Sequence, residues 1–394
     1  MSDSRRVYRA INQAVKQLHP DEPRGNVARH LNTLAGMVTG IVLGKSCHLP
    51  KLAHKAPDAT LAESRHKRFS RWVQNDAITA EIYYLPFVQA LLLGLAQLRP
   101  LTLVMDGSEV AQGRLRVALV RAEGPLWVSV LYGHRALPIA WVVVKGKKGH
   151  FPAETHVRLL RQVADLLPAE TRATFLGDGE FDSVDLQQAV AARGWEYVCR
   201  TAKNIQVQVE GSWCALEDIA VQPGHKKMWR HVRFTAAAYG PVQVIGWWGP
   251  RYAEPLYLVT RPLAVADRDE ACRRYQKRAH TPAPPAEQVR VETLFSDQKS
   301  RGFQLDRSHL DDPERVNRLL MAACLAYLWI IYLGTLASQP HWRRLVHRAE
   351  RCDLSLFQLG LRLLDFWLED DAPLRVAFLP QATQAQTLVF KSVR

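Results

Sequence analysis

Between Leu319 and Leu333 the chain runs through about 15 nearly uncharged residues, with Met321, Cys324, Tyr327, Trp329 and Ile331 among them. As a helix, such a segment is apolar on every side, so something must surround it. A membrane span needs roughly 20 apolar residues, and this run is short for one. Arg315 and Arg318 precede it, and His341, Arg343 and Arg344 follow soon after. The expectation is a helix buried on all sides by the rest of the chain. With 394 residues, 47% of them hydrophobic, there is material for two or three domains with a substantial core.

What could wrap that helix follows from the pattern along the chain. Residues 5–100 read as helical: Arg6 to Leu18, then Asn26 to Leu43 with Val27, Leu31, Leu34, Ala35 and Val38 at helical spacing, then Tyr83 to Leu98, ended by Pro100. From Leu101 the texture is β-rich. Leu101 to Met105, Arg114 to Arg121, Leu126 to Tyr132 and Leu137 to Lys145 are separated by Gly-bearing turns and suggest an antiparallel meander. Helix and strand then alternate: Pro152 to Leu167, Ala173 to Leu176, Ser183 to Arg193, Trp195 to Arg200. Residues 203–265 break the alternation with short strands and Trp213, Trp229, Trp247 and Trp248. A basic helix, Asp267 to His280, and a non-helical linker, Thr281-Pro282-Ala283-Pro284-Pro285, follow. The expected class is α/β: a mixed sheet with helices, interrupted by a β-rich insertion and preceded by a helical N-terminal region. The expected divisions are 1–100 helical, for DNA binding or dimerisation; 101–202 core, first part; 203–265 insertion; 266–340 core, second part; and 341–394 C-terminal helical region.

The net charge of +14 favours an anionic partner, nucleic acid before a membrane surface. The densest basic patch is Glu63 to Trp72, where Arg65, Lys67, Arg68 and Arg71 interleave with Phe69 and Trp72. Such cations can neutralise phosphates and so position a protein on a duplex without reading its sequence. The plainer alternative is a solvated helix face over two core aromatics. The six cysteines are scattered without zinc spacing, so a structural zinc is not expected and a reducing compartment is. No apolar run follows Met1, so no signal peptide is expected and the cytoplasm is the expected location.

Three carboxylates carry candidate chemistry. Asp106 ends the run Leu101 to Met105 and precedes Gly107-Ser108. Asp178 ends Thr174 to Gly177 and precedes Gly179-Glu180-Phe181. A carboxylate at the end of a buried strand sits on a rigid support, although Asp before Gly is also common in plain turns. The third is Glu292, in a helix from Val289 to Phe303 whose Val291, Leu294, Phe295 and Gln298 fall on one stripe. Seven steps on from Glu292, Lys299 returns to nearly the same face; Arg301 and Gly302 close the segment. A solvated helix could carry such a Glu/Lys pair with no function; the two strand-end acids upstream give the trio its meaning. Phosphodiester hydrolysis and transfer use divalent ions about 3.5–4 Å apart to activate the attacking oxygen and stabilise the leaving one. Mg²⁺ takes oxygen ligands, and three carboxylates provide them.

Glu292, Lys299, Ser300-Arg301-Gly302-Phe303 and the later Asp311-Asp312-Pro313-Glu314-Arg315 resemble the bacterial DDE transposases of the group-four insertion sequences. The resemblance includes Asp106-Gly107-Ser108, Gly177-Asp178-Gly179-Glu180-Phe181 and the β-rich insertion before the Glu. It spans about residues 60 to 340. It implies an RNase H-like catalytic core in which Asp106, Asp178 and Glu292 are catalytic and bind Mg²⁺, two ions, with Mn²⁺ an alternative. It also implies cut-and-paste transposition on double-stranded DNA (terminal inverted repeats and target) by a homodimer, with no membrane partner. The family signature is Tyr-x2-Arg-x3-Glu-x6-Lys. Here Gln288 stands where the Arg is expected and Pro285 where the Tyr is. Arg290 would substitute for the Arg from another helix face, and Lys299, Arg301 and Arg290 would contact DNA. In relatives an insertion-domain Trp stacks on a flipped base, and Trp229 is the candidate here; the alternative is that the four tryptophans form the core of a small β domain.

The expected function is therefore a transposase. The alternatives are a nuclease of the same fold that cuts without joining, and a catalytically dead, transposase-derived DNA-binding protein. A membrane-surface protein is the most distant reading. Glu292→Gln should abolish strand cleavage and leave binding of the DNA end intact; full activity in that variant, in a nicking assay on end DNA, would remove Glu292 from the chemistry.

Overall fold

The computed structural model describes residues 2–57, 60–107, 125–133, 135–143, 151–249, 252–261, 268–276, 290–348, 352–380 and 388–390. Six N-terminal helices come first: α1 (Asp3–Gln17), α2 (Gly25–Gly44), α3 (Leu49–Lys55), α4 (Ala62–Gln74), α5 (Ala80–Tyr83) and α6 (Leu85–Ala96). The core follows: β1 (Leu101–Gly107), β2 (Pro125–Tyr132), β3 (Arg135–Val143), α7 (Ala153–Ala164), β4 (Ala173–Gly177), α8 (Val184–Ala192) and β5 (Glu196–Thr201). Then come β6 (Gln206–Val209), β7 (Ser212–Ala215), β8 (Lys226–Phe234), β9 (Tyr239–Trp247) and β10 (Leu256–Thr260). The remaining elements are α9 (Arg268–Gln276), α10 (Arg290–Gln298), α11 (Pro313–Ala337), α12 (Pro340–Val346), α13 (Leu356–Glu369), β11 (Leu374–Val376) and β12 (Leu388–Phe390). The expected strand Arg114 to Arg121, the linker Thr281 to Pro285, and Gln288 lie outside the described residues, as does the side chain of Arg290.

The ten main strands form one mixed sheet in the order β3-β2-β1-β4-β5-β10-β9-β8-β6-β7, and β11 and β12 form a separate pair. The first three strands form an antiparallel meander in which β1 pairs directly with β2, whereas the expected meander placed the run Arg114 to Arg121 between them. Two crossovers through α7 and α8 then add β4 and β5 parallel to β1. The order of these five strands, with the helical N-terminal region, agrees with the expected mixed α/β, RNase H-like class. The insertion differs from a free-standing β domain. Its last strand, β10, pairs antiparallel with β5 (Val259 opposite Cys199), so the insertion extends the core sheet sideways. Helix α9 ties the two parts together. Arg274 bonds to Glu196 on β5, while Lys226 on β8 pairs with Asp269 at 2.8 Å.

The apolar run is α11, 25 residues long, started by Pro313 with Asp312 accepting the Arg315 N–H at 2.9 Å. It is long and apolar enough to cross a membrane, yet 89% of its most apolar window is buried inside the protein. Its wrapping includes α2, α4, α5 and β3, and above all α13. The α11–α13 crossing is close because glycine is present on both sides. A Cβ on Gly334 would lie 1.9 Å from the Leu356 carbonyl oxygen, and one on Gly360 would lie 2.0 Å from that of Ile330. Buried arginines fasten the N-terminal helices to this assembly. Arg318 on α11 donates to the carbonyls of Val73 (3.2 Å) and Ile78 (3.3 Å) and to Asp76 (2.7 Å). Arg6 on α1 donates to Ala372 at 2.7 Å and Leu368 at 3.1 Å, beyond and at the end of α13. The segment 1–100 is thus packed into the same core as the C-terminal helices.

Gly360→Ala should lower stability by about 2–3 kcal/mol, the upper range for overpacking, because backbone rather than a movable side chain opposes the new methyl. A urea midpoint for this variant equal to that of the unsubstituted protein would show that the crossing can relax.

Candidate active site

The two aspartates are placed by strand register. On parallel β1 and β4, Val104 lies opposite Leu176. Two residues further on, Asp106 comes level with Asp178, on strands about 4.8 Å apart. On the antiparallel side Asp106 is opposite Trp127, and directly opposed residues point to the same face. Both aspartates are half-buried. Asp106 Oδ1 accepts the Gly107 N–H at 2.9 Å, and Asp178 Oδ1 accepts the Glu180 N–H at 3.1 Å. The Glu180 carboxylate in turn accepts the Phe151 N–H at 2.9 Å, which ties the turn after β4 to the start of α7.

Helix α10 carries Glu292, and two contacts fix its direction. Phe295 lies over Trp127, ring centres 6.4 Å apart, and therefore on the face to which Asp106 points. Asp297 accepts from Arg135 at 2.6 Å, and Arg135 begins β3 at the opposite end of the sheet. The N-terminal turn of α10 therefore projects toward the aspartate end. Glu292 is three residues before Phe295, about 4.5 Å farther along the helix axis, and is exposed. Leu294 is fully buried and Gln298 nearly so, as the apolar stripe requires. Gly302 is needed where the helix turns back, because a Cβ there would lie 1.9 Å from the Asp297 carbonyl oxygen.

The structure thus brings two carboxylates side by side and directs the helix of the third to the same end of the sheet. Among the described residues, no three carboxylate, imidazole or thiol groups are gathered closely enough to hold a metal ion. The oxygen-only donors at Asp106 and Asp178 suit a hard divalent cation such as Mg²⁺. Beside Asp178 opens a cleft of about 500 Å³, lined by Glu180, Arg200, Lys203, Glu254 and Tyr257.

The other expected contacts divide. Lys299 is half-buried, its Nζ 5.9 Å from the Phe295 ring centre, and Arg301 is exposed beyond it. On α4, Arg71 is exposed, and Lys67 pairs at the surface with Glu63 at 2.9 Å. Arg65 donates to the Ala53 carbonyl at 2.6 Å and to that of Thr60, and Arg68 lies over Phe69. Phe69 and Trp72 are core residues, so the interleaved aromatics hold the helix in place. Trp229 also needs correction. It is 8% exposed and packs beside Gly246 in the extended sheet, so its ring is not presented to a base. Trp213, on the edge strand β7, is 46% exposed. Sequence pattern could not separate the two, because both sit in short β runs of mixed polarity. Asp297 escaped notice for a related reason: a charged residue beside an apolar stripe reads as solvated unless its partner, 162 positions away, is known.

Comparison with known proteins gives little beyond this geometry. No family model and no curated protein matches the chain. Among solved structures it is similar to a piggyBac transposase in a synaptic complex with hairpin DNA, with 9% identity and a TM-score of 0.39 over 93% of this chain and 78% of that one. At that score the likeness carries no argument about activity.

Burial pushes the Asp297 carboxyl up to about 6, against the opposing pull of Arg135 and then Arg301. An unfolded Asp titrates near 3.9, so between about pH 4 and 6 the native state holds the extra proton. This group's contribution to stability should therefore fall as pH rises through that window. Urea midpoints measured from pH 4.5 to 7 should show a slope that flattens in Asp297→Asn. Asp297→Ala, which strands Arg135, should cost about 3–5 kcal/mol.

Proposed function

We propose that this chain is a DNA transposase of the DDE type, cutting and joining strands with Asp106, Asp178 and Glu292 around divalent metal. The observation that supports it is the register of β1 and β4, which sets two strand-end aspartates level on neighbouring strands, with the Glu292 helix over the same face. The net charge of +14 suits a polyanionic substrate.

In this reading Asp106 and Asp178 hold Mg²⁺, and Glu292 completes the ligand set from α10. When bound, the metal supplies activation of the attacking oxygen and stabilisation of the leaving one. The chain's own part is placement. Strand backbone fixes two carboxylates, and the N–H groups of Gly107 and Glu180 orient one oxygen of each. Lys299 and Arg301, at the far end of the Glu292 helix, would meet flanking phosphates. Water would attack first, and the freed 3′ hydroxyl would then attack target DNA. A homodimer would pair the two ends.

The test is incubation of the purified protein with DNA carrying its own element's end, with and without Mg²⁺, beside Asp178→Asn. Metal-dependent nicking at the end, lost by at least about a hundredfold in Asp178→Asn, is expected from removal of a ligand to a catalytic metal. Joined product in the same reaction separates a transposase from a nuclease. Binding without nicking in any divalent metal would overturn the catalytic reading in favour of a DNA-binding protein with a dead site.

A further inference from the structure

The cleft beside Asp178 is built at the seam between the core and the insertion. Gly177 on β4 lies opposite Cys199 on β5, so one residue further Asp178 is level with Arg200. Across β5, Arg200 pairs with Leu258 and Thr201 with Tyr257 on β10. The cleft therefore continues the carboxylate edge of the sheet sideways. Two cations line it. Arg200 is exposed and, among the described residues, makes no hydrogen bond or ion pair. Lys203 is held by Glu254 at 2.9 Å, both side chains being more than half exposed. Lys203, and more weakly Arg200, hold the Glu254 carboxyl below its ordinary range.

We infer that this cleft is a subsite for a backbone phosphate of the DNA strand next to the one being cut, with Arg200 as its primary cation and Glu254 as a brake that occupies Lys203. The inference rests on the functional reading above and adds to it a phosphate contact and an internal competitor. Other carboxylates in the cleft have separate work. Glu180 accepts the Phe151 N–H, and Asp178 belongs to the proposed metal site. With Asp178 assigned to the metal, Arg200 and Lys203 balance Glu180 and Glu254 in the lining, so the attraction for a phosphate comes from the exposed Arg200 guanidinium and not from a net positive cleft. A phosphate entering there meets an exposed guanidinium capable of bidentate bonding. It can then take Lys203 from Glu254, because an exposed ion pair is weak and readily exchanged.

The experiment measures equilibrium binding of fluorescently labelled duplex DNA by anisotropy across a salt series in Mg²⁺. The full-length protein carries Asp178→Asn throughout, so that no strand is cut. Adding Arg200→Ala should weaken binding about five- to tenfold and reduce the salt slope by about one, the signature of one lost phosphate contact. Arg200→Lys should keep the slope. Glu254→Gln, which frees Lys203, should tighten binding by a few-fold, an effect that mere damage to the fold would not produce. Affinity and slope unchanged in Arg200→Ala, or weaker binding in Glu254→Gln, would overturn the subsite while leaving the functional reading in place. Absence of DNA binding by the Asp178→Asn protein at low salt would overturn both.

Discussion

The placement of Glu292 depends on a charge pair far from it. Arg135 and Asp297 are 4% and 7% exposed and meet at 2.6 Å. Burying two charges is costly, and such a pair adds little net stability over an apolar contact. Its effect is on direction. Helix α10 has only nine residues, and its fully buried apolar contact, Leu294, cannot alone fix which way the helix runs. A guanidinium at one end of β3 gains its carboxylate partner when the C-terminal turn of α10 is brought to it. The opposite end of the helix, with Glu292, is then directed toward the aspartates. Reversing the helix would leave two ions buried and unpaired, so the pair selects one arrangement even though it is a weak source of stability.

The sheet extends this logic of placement by register. Parallel pairing of β1 with β4, and of β4 with β5, sets Asp106, Asp178 and Arg200 in one row along the strand ends. Nothing local decides this. Each residue follows a strand of ordinary hydrophobic pattern, and a one-residue slip in either pairing would turn its side chain to the other face. The row is held because Leu103, Val104, Phe175, Leu176 and Val198 are all buried in the core.

Much of this was legible in the sequence. Val27, Leu31, Leu34 and Val38 marked α2, the turn glycines marked the meander, and the uncharged stretch marked α11, because each of those signals is local and periodic. Asp106 and Asp178 stood out as acids ending apolar runs. What was not legible depends on pairing across distance. The Arg135–Asp297 pair joins positions far apart in the chain. The coupling of β10 to β5 turned an apparently separate insertion into a continuation of the sheet. Trp229 and Trp213 occupy similar sequence surroundings and differ only in which strand closes the edge. The basic run on α4 likewise hid its division: Arg65 serves the backbone carbonyls of Ala53 in α3 and of Thr60 in the loop before α4, whereas Arg71 faces solvent.

The order in which the wrapping of α11 is synthesised has its own consequence. Its neighbours α2 and α4 leave the ribosome before its sheet partner β3, and α13, whose Gly360 meets the Ile330 carbonyl, leaves after α11 itself. Until Arg318 arrives, the carbonyls of Val73 and Ile78 lack its guanidinium. The N-terminal helices therefore cannot close as a finished unit before α11 and α13 have been made. The carboxylate edge can be assembled from residues 101–201 well before the helix that faces it is locked. Folding of this protein should end with a late, long-range docking step rather than begin from a finished N-terminal domain.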